Sequence, residues 1–259
     1  MTQYRKSKAL QTHKRQVQEA FNFAVFVCHA APEFAEVLDK VDGGGAAKLP
    51  TPVYFQPNKN DSAFFRKELA SFEYRLSSYL FLSLFSFFEA FVRSIVQELI
   101  DFHGGPDNLI RLANARDARR IAEFSGKNSV AYKMKLRKRV KGKDAKYKKY
   151  TEILHADGFP FPTERLAGYG TQMLIERHKK LSASQIPAFL VEGFHMPLDP
   201  GDVSKYQIYR DRRNDLAHGK PVKVNLKGIS RMNEFFRQWT FTINSHLMEH
   251  FFVLEEFAT

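Results

Sequence analysis

A chain of 259 residues, 44% of them hydrophobic, can bury a substantial core, which excludes global disorder. Its single cysteine, Cys28, excludes an internal disulfide and fits a reducing cytosol. The net charge of +12 is unevenly placed: residues 127–149 hold eleven Lys/Arg against one acid, Asp144, and so carry +10 of it.

The opening MTQYRKSKALQTHKRQ has five cations in its first fifteen residues and no apolar run behind them, so no secretory leader is expected. Residues 3–40 place Val17, Phe21, Ala24, Val25 and Cys28 at helical spacing. They predict a first helix in which Cys28 is a small core residue rather than a nucleophile. DGGGAAKLPTP ends that helix, and a short extended VYFQP follows. DGGGAAK lacks the spacing and the Lys-Ser/Thr pair of a phosphate loop and reads as a linker. Asp61 or Ser62 is placed to cap a long helix from about Ala63 to His103, stopped by HGGP. Inside it, SSYLFLSLFSFF is the most apolar stretch, but Glu89 and Arg93 cut it short of the about 20 residues that a membrane span needs. A buried helix and no membrane partner are expected. Its stripe of Phe72, Phe81, Phe85, Phe88 and Phe91 fits a protein core better than a base-stacking platform.

Residues 107–125 predict a third helix. The basic segment, 127–150, threads Tyr132, Met134, Leu136, Val140, Tyr147 and Tyr150 between its cations. Such interleaving points to a polyanion, with Lys133, Lys135, Arg137, Lys138, Arg139, Lys141 and Lys143 as the RNA-binding candidates. Two shorter helices, 163–181 and 184–194, precede the break MPLDPGD. A helix over 202–218 then stops at Gly219, and a last one from about Leu226 to Phe257 lines up Met232, Phe235, Phe236, Trp239, Ile243, Leu247 and Phe251. HLMEH, His246 to His250, has the spelling of a zinc-peptidase motif. Only nine residues follow it, and Glu255 and Glu256 sit too close along the same helix to close a site. Helix-surface histidines, and neither a metal nor another cofactor, are expected there. With no internal repeat and no strand alternation, the chain reads as one all-α domain, 1–259.

The sharpest feature is RDRRNDLAHGK, Arg210 to Lys220. An arginine followed at short range by a histidine is cheap. Given 18 Arg, 10 Asn and 9 His, the full pattern R-N-x-x-x-H is expected by chance only about two times in a hundred. It occurs at Arg213, Asn214 and His218. On a helix Asn214 and His218 share a face, Arg210 extends the same row, and the long Arg213 side chain can bend toward it. A base that titrates near neutrality, a fixed amide and a forked cation suit metal-independent RNA cleavage, in which a 2′-hydroxyl attacks the adjacent phosphate.

This stretch resembles the motif of the HEPN superfamily, whose ribonucleases carry Arg, four to six residues and then His, often with a polar residue after the Arg. A long apolar helix with one embedded acid (FSFFEAFVRS, Glu89), the late RRNDLAHG and a closing helix are similar to HEPN proteins of bacterial defence and toxin–antitoxin systems. The resemblance covers about residues 62–257. It implies a HEPN-like helical bundle over 61–257, with residues 1–60 as an N-terminal helix and linker and 127–150 as a basic insertion. It further implies a cytoplasmic endoribonuclease toxin or antiviral effector, with RNA as substrate and an antitoxin or regulatory partner protein. In such a homodimer two motif helices form one composite site: His218 of each chain lines the cleft, Arg213 binds the scissile phosphate and Asn214 orients it. Arg212 and Arg210 support or steer, and Glu89 pairs with Arg213 or Arg212. Products would be a 2′,3′-cyclic phosphate and a 5′-hydroxyl. The competing reading is a non-catalytic nucleic-acid-binding, dimerisation or scaffold protein, in which RRNDLAHG is a helix C-terminus capped by Gly219 with its arginines paired to Asp211 or Asp215.

Overall fold

The computed structural model describes residues 6–45, 49, 54, 61–123 and 168–254. Every regular element among them is helical: α1 (Lys8–Asp42), α2 (Ser62–Ala70), α3 (Phe72–Phe102), α4 (Pro106–Glu123), α5 (Gly168–Lys179), α6 (Ile186–Phe194), α7 (Pro200–Ala217) and α8 (Leu226–His250), with one 3-10 turn at Ala183–Gln185. The all-α class expected from the pattern is the class observed. The basic segment 127–150, with Lys133, Lys135, Arg137, Lys138, Arg139, Lys141 and Lys143, lies outside the described residues, as does the VYFQP stretch apart from Tyr54.

The predicted helix over 63–103 is two helices. Asp61 caps α2 as expected, its carboxylate accepting the Phe64 N–H at 2.7 Å. At Ser71 both the backbone N–H and the hydroxyl bond the Glu68 carbonyl, each at 3.1 Å. A serine that satisfies a preceding carbonyl locally competes with helix continuation, and α3 restarts one residue later. The last helix also ends early, at His250 rather than Phe257. The Phe251 and Phe252 N–H groups both turn back to the Leu247 carbonyl, at 2.8 and 3.0 Å. His103 donates to the Phe251 carbonyl at 2.9 Å, and the Phe251 ring packs edge-on against Phe194. Burial of that ring, rather than any local breaker, terminates α8.

The described chain forms two compact units. The first takes the opening turns of α1, α3 from Phe88, α4, α5, α6, α7 to Arg210 and α8 from Arg237. Here the start of α1 is capped from α3: the Glu98 carboxylate accepts the Lys8 and Ala9 N–H groups, both at 2.9 Å. Tyr206 and Trp239 stack at 5.4 Å, with Phe88 tilted against both at 5.8 Å. The Tyr206 hydroxyl donates to the Ala183 carbonyl at 2.8 Å, so this fully buried ring keeps its polar tip satisfied.

The second unit takes the rest of α1, α2, α3 to Phe87, the end of α7 from Asp211 and α8 to Phe236. Its core holds Leu38, Leu84, Phe85, Met232 and Phe236, with Phe85 and Phe236 edge-to-face at 5.7 Å. Each such buried phenylalanine contributes about 1.5–3 kcal/mol. The buried positions expected on α8, from Met232 to Phe251, are all found buried, as are Phe81, Phe85, Phe88 and Phe91 on α3; Phe72 is only partly covered. Cys28 and Val25 depart from the expected core. Cys28 is half-buried beside a groove, and Val25 is exposed. By length and composition α1 and α3 each contain a window apolar enough to cross a membrane. Half of the α3 window is buried, against 17% of the α1 window.

Candidate active site on α7

The helix that carries RDRRNDLAHGK is set at both ends by its own sequence. Asp199 accepts the N–H groups of Gly201 and Asp202, at 2.8 and 3.1 Å, and Pro200 supplies a first helical residue that needs no donor. The helix therefore starts two residues before the expected position. At the other end the Lys220 N–H reaches the Asp215 carbonyl and the Gly219 N–H the Leu216 carbonyl, the paired closure of a Schellman motif. Gly219 takes φ +73, a left-handed conformation that side chains resist.

Tyr206 and Tyr209 are the buried residues of this helix. Arg210, Arg213 and Asn214 are partly covered, whereas Arg212 and His218 are exposed. Within the second unit the structure brings Arg213 and Asn214 together: guanidinium Nη1 donates to the amide Oδ1 at 3.0 Å. The Arg213 guanidinium carbon also lies 5.0 Å from the centre of the Phe85 ring, itself fully buried. A hydrogen bond on one side and an aromatic face on the other hold a partly covered cation in one place. Because Oδ1 accepts from Arg213, the guanidinium sets which way the Asn214 amide is turned. His218 closes the last α-turn through its N–H to the Asn214 carbonyl at 2.9 Å, with its residue exposed at the helix end.

Of the features considered for a purely structural helix end, the Gly219 cap is present, and Asp215 bonds Lys220 at 2.8 Å. That hydrogen bond, and secondarily the carboxylate charge, raise the Lys220 ammonium above its ordinary value. Neither Lys220 nor the Phe85 seat was visible in the motif, since both depend on contacts that the R-N-x-x-x-H spelling does not encode. Glu89 is partly covered and belongs to the first unit. His246, from the zinc-peptidase spelling, gives Nε2 to the Phe194 carbonyl at 2.9 Å.

The described arrangement thus offers an immobilised guanidinium, an amide aimed by it and an exposed imidazole, all at one helix terminus. No family model, no curated protein and no solved structure matches this chain.

Proposed function

We propose that this chain is a metal-independent endoribonuclease of the HEPN type, acting as a homodimeric toxin or antiviral effector. The observation that carries the reading is the Arg213–Asn214 pair held one turn before the exposed His218. His218 takes the proton of a ribose 2′-hydroxyl, and the freed oxygen attacks the adjacent phosphorus. Arg213 binds the non-bridging oxygens as charge builds on them, and the Asn214 Nδ2 group orients the phosphate. The bond to the 5′-oxygen breaks, and that oxygen takes a proton from His218 of a second copy. The ends formed are a 2′,3′-cyclic phosphate and a 5′-hydroxyl. Arg212 and Arg210 steer the backbone, and the cations between Lys133 and Lys143 supply long-range attraction.

The test is incubation of the purified chain and of His218→Ala with total RNA in EDTA. Cutting that leaves cyclic-phosphate ends is expected, slowed by at least about a hundredfold in the variant, the usual contribution of a general base. Equal cutting by both proteins removes His218 from the mechanism. RNA binding without cutting by either makes the chain a non-catalytic nucleic-acid-binding protein.

A further inference from the structure

Helix α1 presents an apolar face that no other described element covers. Phe23 is 62% exposed, Phe26 66% and Val25 55%, far more than a packed helix leaves bare. These residues form a ridge with a groove on each side. One groove, of about 450 Å³, lies among α1, α2 and α3 and is lined by Phe34, Phe65, Phe72 and Tyr79. The other, of about 380 Å³, lies between α1, Leu80 of α3 and the start of α8. Ridge and grooves all belong to the second unit.

The charges on the exposed side of α1 differ in net sign at its two ends, with Glu19 on the basic side and Lys40 on the acidic side as exceptions. Lys14 and Arg15 lie before the apolar patch, and Glu33 and Glu36 after it, all four exposed. Arg15 has only a loose contact with Glu19, 3.9 Å, and both side chains are about 70% exposed. Further along, Asp39 and Asp42 are bonded to Arg66 at 2.7 Å each. If two copies of α1 run antiparallel with the axis near Val25 and Phe26, Lys14 and Arg15 of one copy face Glu36 of the other. The same operation brings the ridge and grooves of the two copies face to face. A patch that carries both ridge and groove, with opposite charges at its two ends, is self-complementary under a two-fold axis. Over residues 14–36 the helix runs about 35 Å, long enough for a standard interface of about 800 Å² per partner.

We propose that α1 is a self-association surface, pairing with α1 of a second copy in antiparallel register through Phe23, Val25 and Phe26. The contact uses α1 and not α7, so it does not depend on the ribonuclease reading. Loss of the α1 contact halves the mass of a dimer made by α1 alone, and equally of a tetramer in which the motif helices make the second pairing.

Sedimentation analysis of the full chain tests this. The wild type is expected to associate, and Phe26→Glu to halve the mass, with the dissociation constant raised on the order of a hundredfold as two rings lose their burial. Phe26 is exposed, so the helical content should not change. A charge swap gives an independent arm. Lys14→Glu with Arg15→Glu should weaken association, Glu33→Lys with Glu36→Lys should do the same, and mixing the two variants should restore it. In a Cys28→Ser background, Val25→Cys should form a disulfide-linked dimer on mild oxidation. An unchanged mass in Phe26→Glu, a wild type that stays monomeric, or binding to phosphatidylcholine vesicles without self-association overturns the proposal.

Discussion

Arg213 shows how much one side chain's surroundings add to its identity. Its charge is fixed by chemistry, but its position is fixed by the Asn214 amide and the Phe85 ring. Histidines are used differently in this protein. His13, His103, His178 and His246 each meet a backbone carbonyl, those of Phe87, Phe251, Arg93 and Phe194. Burial lowers His13 below the ordinary histidine value, against the raising effect of its bond to Phe87, and Lys14 lowers it further. His178 is lowered by burial first, with Arg93 acting both ways through its carbonyl and its charge. Both imidazoles therefore take up a proton less readily in the fold than when unfolded. Their contribution is complete above a pH of about 6.5 and is lost as pH falls below it, the buried His13 steepening the decline by up to about 1.4 kcal/mol per pH unit and the more exposed His178 by less. Melting temperature should drop between pH 7.5 and 5, and His13→Gln should flatten that dependence. An unchanged slope in the variant would show that His13 does not drive it.

At the scale of elements, boundaries set by local chemistry were legible and boundaries set by packing were not. Asp61 caps α2 and Gly219 closes α7 where expected, whereas the Asp199 cap starts α7 two residues before the expected position. Gly219→Ala should cost about 1–2 kcal/mol, because a Cβ is disfavoured at positive φ, while Gly219→Asn should cost less. Thermal denaturation separates the two; equal losses would mean that the glycine is not holding the cap. In contrast, α1 begins where Glu98 of α3 accepts its first N–H groups, and α8 ends where Phe251 turns toward Phe194. The break at Ser71 was missed for a third reason. Serine is common within helices, and only its hydrogen bonds to Glu68 reveal that it interrupts one.

For the molecule as a whole, charge is the dominant sequence-level property, and most of it sits in residues 127–149. If those cations contact phosphates, neutralising Lys138, Arg139, Lys141 and Lys143 should weaken RNA binding. It should also reduce the slope of log affinity against log salt by roughly three, at about 0.7 per contact on a single strand. An unchanged slope in a salt titration would remove this segment from the interface.

The amino-acid sequence by itself determined the helical class, the buried stripes of α3 and α8 and the R-N-x-x-x-H placement at a capped helix end. Those follow from periodicity and local hydrogen bonding, which act over a few residues. Only the tertiary structure decided that Arg213 rests on Phe85, that Asp215 takes Lys220, and that no other described element covers Phe23, Val25 and Phe26. A helical pattern gives the apolar face of α1 but not what lies against it. Burial depends on which segments, distant in sequence, reach the same place, and spacing along one helix carries no record of that.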